Sequence, residues 1–94
     1  MMDQDLMGVA SRVCWFKAPA EVLADSIFFL GHVMTYGTIE DILTVKRHYT
    51  DQEFVDALEN APSGVFDPRS WSYWHVVYGK LPVPPLPERG IPGL

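Results

Sequence analysis

Cysteine is almost absent from this sequence, since Cys14 is the only one among 94 residues. A single thiol excludes an internal disulfide and any zinc site that is built from several cysteines. Cys14 stands beside Trp15 and Phe16, without a helix start or a histidine next to it. We therefore expect a packed thiol rather than a nucleophile.

Motifs that carry chemistry are also lacking. The histidines His32, His48 and His75 do not have the short spacing at which two side chains of one helix hold a zinc ion. There is no glycine-rich phosphate loop and no Gly-x-Ser-x-Gly motif. Neighbouring acids fall where helices are predicted to begin, and there they complement the helix dipole. The sequence predicts no enzyme, no metal site and no cofactor.

Basic residues and long apolar runs are scarce as well. Seven Lys and Arg face twelve Asp and Glu, for a formal charge of −5, which disfavours direct nucleic-acid binding. No stretch approaches the roughly 18 apolar residues of a membrane span. The acidic start at residues 1–6 lacks the basic region of a secretory signal. Together with the single thiol, this pattern leads us to expect a cytoplasmic protein without membrane contact.

Helix start and stop signals are frequent. Pro19 suits a first helical position, and Asp25 or Ser26 could begin a separate segment before Tyr36. Gly37 is then predicted to end that helix in the left-handed conformation. The next helix, 38–48, is predicted to begin at the cap Thr38, and to bury a stripe of Ile39, Ile42, Leu43 and Tyr49, with Val45 to its side.

Two further helices are marked in the same way. Thr50 and Glu53 form a capping box for a helix over 51–61. Asp67 followed by Pro68 begins a last helix, which Gly79 is predicted to end. Five of the eight prolines then fall within the last 14 residues, which predicts an extended tail of polyproline II character.

These signals predict an all-α fold: a compact bundle of four or five short helices with an extended, proline-rich C-terminal tail. Residues 1–14 are expected to form an N-terminal arm, loose or weakly helical over residues 1–11, and Trp15 and Phe16 to anchor it on the core. Residues 15–79 form the helical domain of this prediction, and residues 80–94 its tail.

Aromatic residues are concentrated in the last helix. Because one helix cannot turn all four of its rings inward, we expect Trp74 to be buried and Trp71 or Tyr73 to be partly exposed. The tail also fits the Pro-x-x-Pro-x-Arg pattern of ligands for SH3 domains. The candidate partner-binding residues are Trp71, Tyr73, Tyr78, Pro84, Pro85, Leu86 and Arg89.

Acidic residues on the predicted helix faces could steer a basic partner toward the chain. They are Glu40, Asp41, Asp51, Glu53 and Asp56. The helices at 38–48 and 51–61 also have the lengths of a helix–turn–helix, which leaves a small transcriptional regulator as an alternative. However, a recognition helix that opens with acids would repel DNA phosphates.

One longer pattern is shared with a known group of proteins. The apolar helix from Phe29 to Tyr36, the following Gly37-Thr38-Ile39-Glu40-Asp41, and the aspartate-capped helix that holds Tyr73-Trp74 resemble small all-helical bacterial proteins. These proteins are encoded beside nucleotidyltransferase toxins of the abortive-infection, AbiE type. The resemblance spans residues 15–79 and departs at His32, where that group carries an arginine.

The resemblance implies a non-enzymatic, antitoxin-like protein that binds and masks a basic nucleotidyltransferase-type toxin. The acidic charge of the chain is suited to covering a basic cleft. Exposed aromatics are also compatible with a homodimer. Besides the transcriptional regulator, a small ligand-binding domain around His48 and its neighbouring acids remains as an alternative.

Overall fold

A computed structural model describes residues 4–61 and 64–86 of the chain. Over these residues the chain is all-helical, which confirms the predicted fold class. The helices are α1 (Gln4–Val13), α2 (Pro19–Ala24), α3 (Ser26–Tyr36), α4 (Ile39–Lys46), α5 (Asp51–Glu59) and α6 (Pro68–Val77). None of them is long and apolar enough to cross a membrane.

Helix α3 lies at the centre of the bundle and contacts each of the other five helices. Six consecutive residues of α3, from Phe29 to Met34, are buried. A helix that is apolar around its whole circumference must be covered on every side. The other helices therefore bury one side each against α3 or against one another.

The caps form as the sequence predicts. The side chain of Asp25 accepts a hydrogen bond from the backbone N–H of Phe28 and thereby separates α2 from α3. Complete capping boxes begin α4, with Thr38 and Asp41, and α5, with Thr50 and Glu53. The α6 cap, Asp67, accepts from the N–H of Ser70.

The N-terminal segment is helical, one of the two forms expected for the arm, but it is packed into the core rather than loose. Residues 4–13 form α1, which buries Val9, Ala10 and Val13 and leads into the fully buried Cys14. The expected anchor is wrong, because Trp15 is 81% exposed and Phe16 is 56% exposed. The break at Asp25, which the sequence allowed, gives five helices after residue 18, and α1 brings the number in the described residues to six.

The buried side of α4 also differs from the prediction. Ile39 is 77% exposed and Leu43 is 58% exposed, whereas Val45 is fully buried. Asp41 is buried on the same side, where it accepts a charge-assisted hydrogen bond from Arg12 of α1. Contact with α1 therefore decides which side of α4 turns inward.

Two glycines end helices in different ways. Gly79 has a φ of +67°, the left-handed conformation that the sequence predicts. Gly37 is instead extended, with a φ of −73°. Its missing side chain matters for space, because a Cβ at this position would lie 2.6 Å from the carbonyl oxygen of Val33.

Trp74 joins α6 to the core. Its ring is 4% exposed and its indole N–H donates to the carbonyl of Met34 at 2.8 Å. The same ring lies 6.1 Å from the ring of Phe54 and is stacked on Tyr78 at 5.9 Å between centroids. The expected inward position of Trp74 is confirmed.

Replacing Trp74 with alanine should lower the free energy of unfolding by about 3–5 kcal/mol, because it empties a large buried volume. Urea denaturation followed by circular dichroism measures this loss. Tyr73→Ala is the matched control: its ring is 59% exposed, so we expect a loss below about 1 kcal/mol. Equal losses for the two variants would contradict this assignment of the core.

The ion pair between Arg12 and Asp41 connects α1 to α4. Burial favours the neutral acid, but the hydrogen bonds from Arg12 and from the N–H of Thr38 outweigh it and lower the pKa of Asp41 below 3.8. Because the folded-state pKa lies below the unfolded value, this stabilisation is complete above about pH 4 and is lost as the pH falls further.

Asp41→Asn keeps the acceptor for Thr38 and removes the charge that faces Arg12. It should lower stability at pH 7 by about 1–2 kcal/mol, an effect that is moderated because Arg12 is partly solvated. It should also flatten the decline of stability below pH 4 in urea denaturation. Glu40→Gln, at the exposed neighbouring position, is the control and should leave both quantities nearly unchanged.

Candidate protein-interaction surfaces

Helix α6 distributes its aromatic residues between the core and the surface. Tyr73 is exposed, as expected. Trp71 is 6% exposed, which corrects its assignment to a free partner-binding surface. The tail lies against this ring, and the indole N–H of Trp71 donates to the carbonyl of Pro84 at 2.7 Å. The reason is angular: Trp71 and Trp74 are three residues apart on one side of a helix that faces the bundle.

Tyr78 lies where α6 meets the start of α5. Its hydroxyl donates to a carboxylate oxygen of Asp51 at 3.3 Å. Burial, followed by the nearby charge of Asp51 and this hydrogen bond, raises the pKa of Tyr78 to about 12. The structure thus brings together one predicted aromatic contact and one predicted steering acid.

Three residues of the predicted tail site belong to the described part of the tail. Pro84 and Pro85 are exposed, whereas Leu86 is half-buried and packs against the core together with Val83. Arg89 and the end of the Pro-x-x-Pro-x-Arg pattern lie outside the described residues. Residues 81–86 contain neither helix nor strand.

Four of the five predicted steering acids are exposed. They are Glu40, Asp51, Glu53 and Asp56. Asp41 is the exception, because its carboxylate is buried against Arg12 and caps α4, so it does not face a partner. Three of the exposed acids lie on α5, the second helix of the helix–turn–helix alternative, and they place negative charge where DNA phosphates would have to approach.

A surface that the sequence prediction missed surrounds the beginning and the outer side of α3. It consists of Trp15, Phe16, Phe28, His32 and Tyr36, and is called here the aromatic surface. The ring of His32 lies at its centre, 4.2 Å from that of Phe28, 5.9 Å from that of Tyr36 and 6.0 Å from that of Phe16.

The rings of the aromatic surface are held in defined places. The Nδ1–H of His32 donates to the carbonyl of Phe28 at 2.8 Å, and the ammonium of Lys17 lies 4.4 Å from the centre of the Phe28 ring. Trp15 meets Phe16 edge to face at 5.6 Å. Beside these rings is a cleft of about 440 Å³, which Trp15, Phe16, His32 and Tyr36 line together with Arg12.

The sequence contained a signal for this surface. Phe28, His32 and Tyr36 are spaced four residues apart, which places them in one row along α3. The prediction assigned Trp15 and Phe16 to the core and therefore did not add them to this row. A second, smaller apolar surface is the α6 outer face, formed by Tyr73, Val76 and Val77, all at least 45% exposed.

Among residues 4–61 and 64–86, no three His, Cys, Asp or Glu side chains are grouped closely enough to hold a metal ion. His75 is buried and its Nδ1–H donates to the carbonyl of Trp71 at 2.7 Å, so it takes part in packing. The open cleft beside His48, about 420 Å³, is lined by the α4–α5 turn, including Lys46, Tyr49 and Asp51.

Comparison with protein families, curated proteins and solved structures finds no match to this chain. The resemblance to AbiE-associated proteins therefore stays a prediction. What the described residues provide for function is an exposed aromatic surface, an acidic side on α5 and a groove beneath the tail.

Burial, the larger cause of the raised pKa of Tyr78, is unchanged in Asp51→Asn, but the variant removes the negative charge that opposes formation of the phenolate. The pKa should therefore fall below about 12 while staying above 10.0. An NMR titration of the Tyr78 ring carbons up to pH 11 detects the change as a larger phenolate fraction in Asp51→Asn than in wild type. Asp56→Asn removes the same charge further along α5 and serves as the control. A Tyr78 titration that is identical in wild type and Asp51→Asn would contradict the contact between these side chains.

Proposed function

We propose that this chain is a non-enzymatic interaction module that binds and masks a basic, nucleotidyltransferase-type toxin. The observation that carries the proposal is the aromatic surface. It exposes 81% of Trp15, 56% of Phe16 and 62% of Tyr36 around one cleft.

Exposed tryptophan and tyrosine side chains have a high potential for binding. They are enriched among the few interface residues that dominate affinity, because large rings that leave water together contribute most of the free energy. Contiguous apolar surface on a small protein also marks an interaction site more often than scattered single residues do. Three of its rings, those of Phe16, Phe28 and Tyr36, already contact the ring of His32, which reduces the entropy lost on binding.

Charge favours a basic partner. The chain carries a formal charge of −5, and Asp51, Glu53 and Asp56 are exposed on one helix. Such a field accelerates the encounter with a positively charged protein. Aromatic ring faces can also receive the guanidinium groups with which a toxin would hold nucleotide or RNA phosphates. The resemblance over residues 15–79 supplies the toxin class.

The proposal expects a nucleotidyltransferase to be encoded beside this chain in its host, and the test measures binding to that protein. Trp15→Ser with Phe16→Ser should weaken binding at least about 30-fold by biolayer interferometry, as expected for loss of a binding hot spot. The matched control is Tyr73→Ser with Val76→Ser, which removes a similarly exposed apolar pair from the α6 outer face. We expect the control pair to cause the smaller loss.

Two outcomes would contradict the proposal. Wild-type chain and toxin that elute separately at micromolar concentration would exclude the partner. A larger loss in the α6 control than in the Trp15 and Phe16 variant would exclude the aromatic surface as the main contact. Salt tests the charge argument, since the association rate should fall steeply as NaCl rises from 50 to 300 mM.

A further inference from the structure

We propose that the groove between the end of α5, α6 and residues 81–86 recognises extended proline-rich strands of the pattern apolar–Pro–Pro–apolar. Val83–Leu86 of the same chain occupies this groove in place of a matching strand from a partner protein. The groove is called here the tail groove. It lies on other residues than the aromatic surface and does not depend on the proposed toxin partner.

The conformation of the occupant follows from its prolines. Pro84 and Pro85 each fix their own φ near −65°, and each proline disfavours the helical conformation in the residue before it. A segment constrained in this way adopts the polyproline II conformation, which has three residues per turn. Residues three apart, such as Val83 and Leu86, then point to the same side.

The burial pattern agrees with this period of three. Val83 and Leu86 are partly buried and pack against the core, whereas Pro84 and Pro85 between them are exposed. The strand thus presents two apolar side chains to the domain and two prolines to solvent. A segment that merely lay on the surface without a defined register would not separate its residues in this way.

Trp71 binds the backbone of the strand. Its indole N–H donates to the carbonyl of Pro84, an acceptor that no neighbouring backbone group of a polyproline II strand can satisfy. The ring of Trp71 also packs edge to face with His75, at 4.3 Å, and with Phe66, at 5.5 Å. Aromatic grooves that offer such a donor are the usual means of binding proline-rich strands.

The occupant does not fill the groove. A cleft of about 510 Å³ remains between the tail and the helices, lined by Leu58, Glu59, Trp71, His75 and Lys80 as well as by the tail itself. At its rim the ammonium of Lys80 lies 3.3 Å from the carboxylate of Glu59. On the tail side the cleft is lined by Leu81, Pro82, Pro84 and Pro85, so the groove has room for further atoms beside the prolines.

The chain's own strand, Val83–Leu86, is called here the resident strand. It has an advantage over a separate strand because it is tethered next to the groove. It is joined to α6 by a few residues that include Gly79, so its effective concentration at the groove is on the order of millimolar. A separate strand must compete with it and gains access when the resident one is released. The structure thus describes a recognition site together with its internal competitor.

The experiment releases the resident strand in the full-length chain. Val83→Ser with Leu86→Ser removes both apolar anchors and leaves the helices unchanged. The NMR signal of the Trp71 indole N–H reports on occupancy, because it should move when the bond to Pro84 is lost. A synthetic peptide with the sequence of residues 80–86 is then titrated into both proteins. We expect the peptide to restore the signal in the released variant. Wild type, whose own tail occupies the groove, should bind a fluorescently labelled copy of the peptide at least tenfold more weakly.

Two controls define the specificity. The peptide with both Pro84 and Pro85 replaced by alanine should bind at least tenfold more weakly, because it loses the preformed conformation. Adding Trp71→Phe to the released variant keeps an aromatic ring and removes the donor, and should abolish peptide binding. For this last variant the signal of Leu58 replaces that of Trp71, and a thermal melt confirms that the chain is folded.

Three results would overturn the proposal. The first is a released variant whose Trp71 signal stays at the wild-type position, since Val83 and Leu86 would then not hold the strand. The second is a released variant that ignores the peptide, or binds it equally well without the indole donor. The third is exchange of tails between copies, visible as a wild-type dimer by light scattering, since the occupant would then be a second copy of this chain.

Discussion

The burial of α3 is the constraint on which the other elements depend. Six successive residues of this helix, from Phe29 to Met34, are removed from solvent, so it has to be covered on all sides. At Gly31 the cover comes so close that a Cβ would lie 3.1 Å from a methyl carbon of Val65. A chain of 94 residues can meet this demand only by arranging its remaining helices around one axis.

Covering α3 has a consequence for the surface. Each surrounding helix buries one apolar side against α3 or against a neighbouring helix. Apolar residues on its other sides therefore remain exposed, as Ile39, Leu43 and Tyr73 do. The aromatic surface differs from these scattered residues because it continues the row of α3 itself. Phe28 and Tyr36 flank the buried ring of His32 on the same helix. A partner on this surface would therefore contact the element that organises the core.

Local and distant interactions differ in how far the sequence predicts them. The caps at Asp25, Thr38, Thr50 and Asp67 were predictable, because each satisfies a backbone donor within three residues. The buried side of α4 was not, because it depends on Arg12, 29 residues before its partner Asp41. The same holds for α1, whose weak local periodicity gave no sign that Val9 and Val13 would find a place in the core.

The candidate sites follow the same division, and α6 illustrates it. The sequence indicated that its rings could not all be buried and that Trp74 would turn inward, but not which of Trp71 and Tyr73 would remain exposed. The helical angle decides: Trp74 turns to Met34 and the core, Trp71 turns to Pro84 and the tail, and Tyr73 turns to solvent. The role of each ring is thus set by the partner opposite it rather than by its own chemistry. The indole N–H of Trp71 donates to the carbonyl of Pro84, which lies in a non-helical segment and accepts no helix hydrogen bond. A proline-rich strand supplies such carbonyls and lacks donors that would compete for them, which is why this ring and this tail are matched.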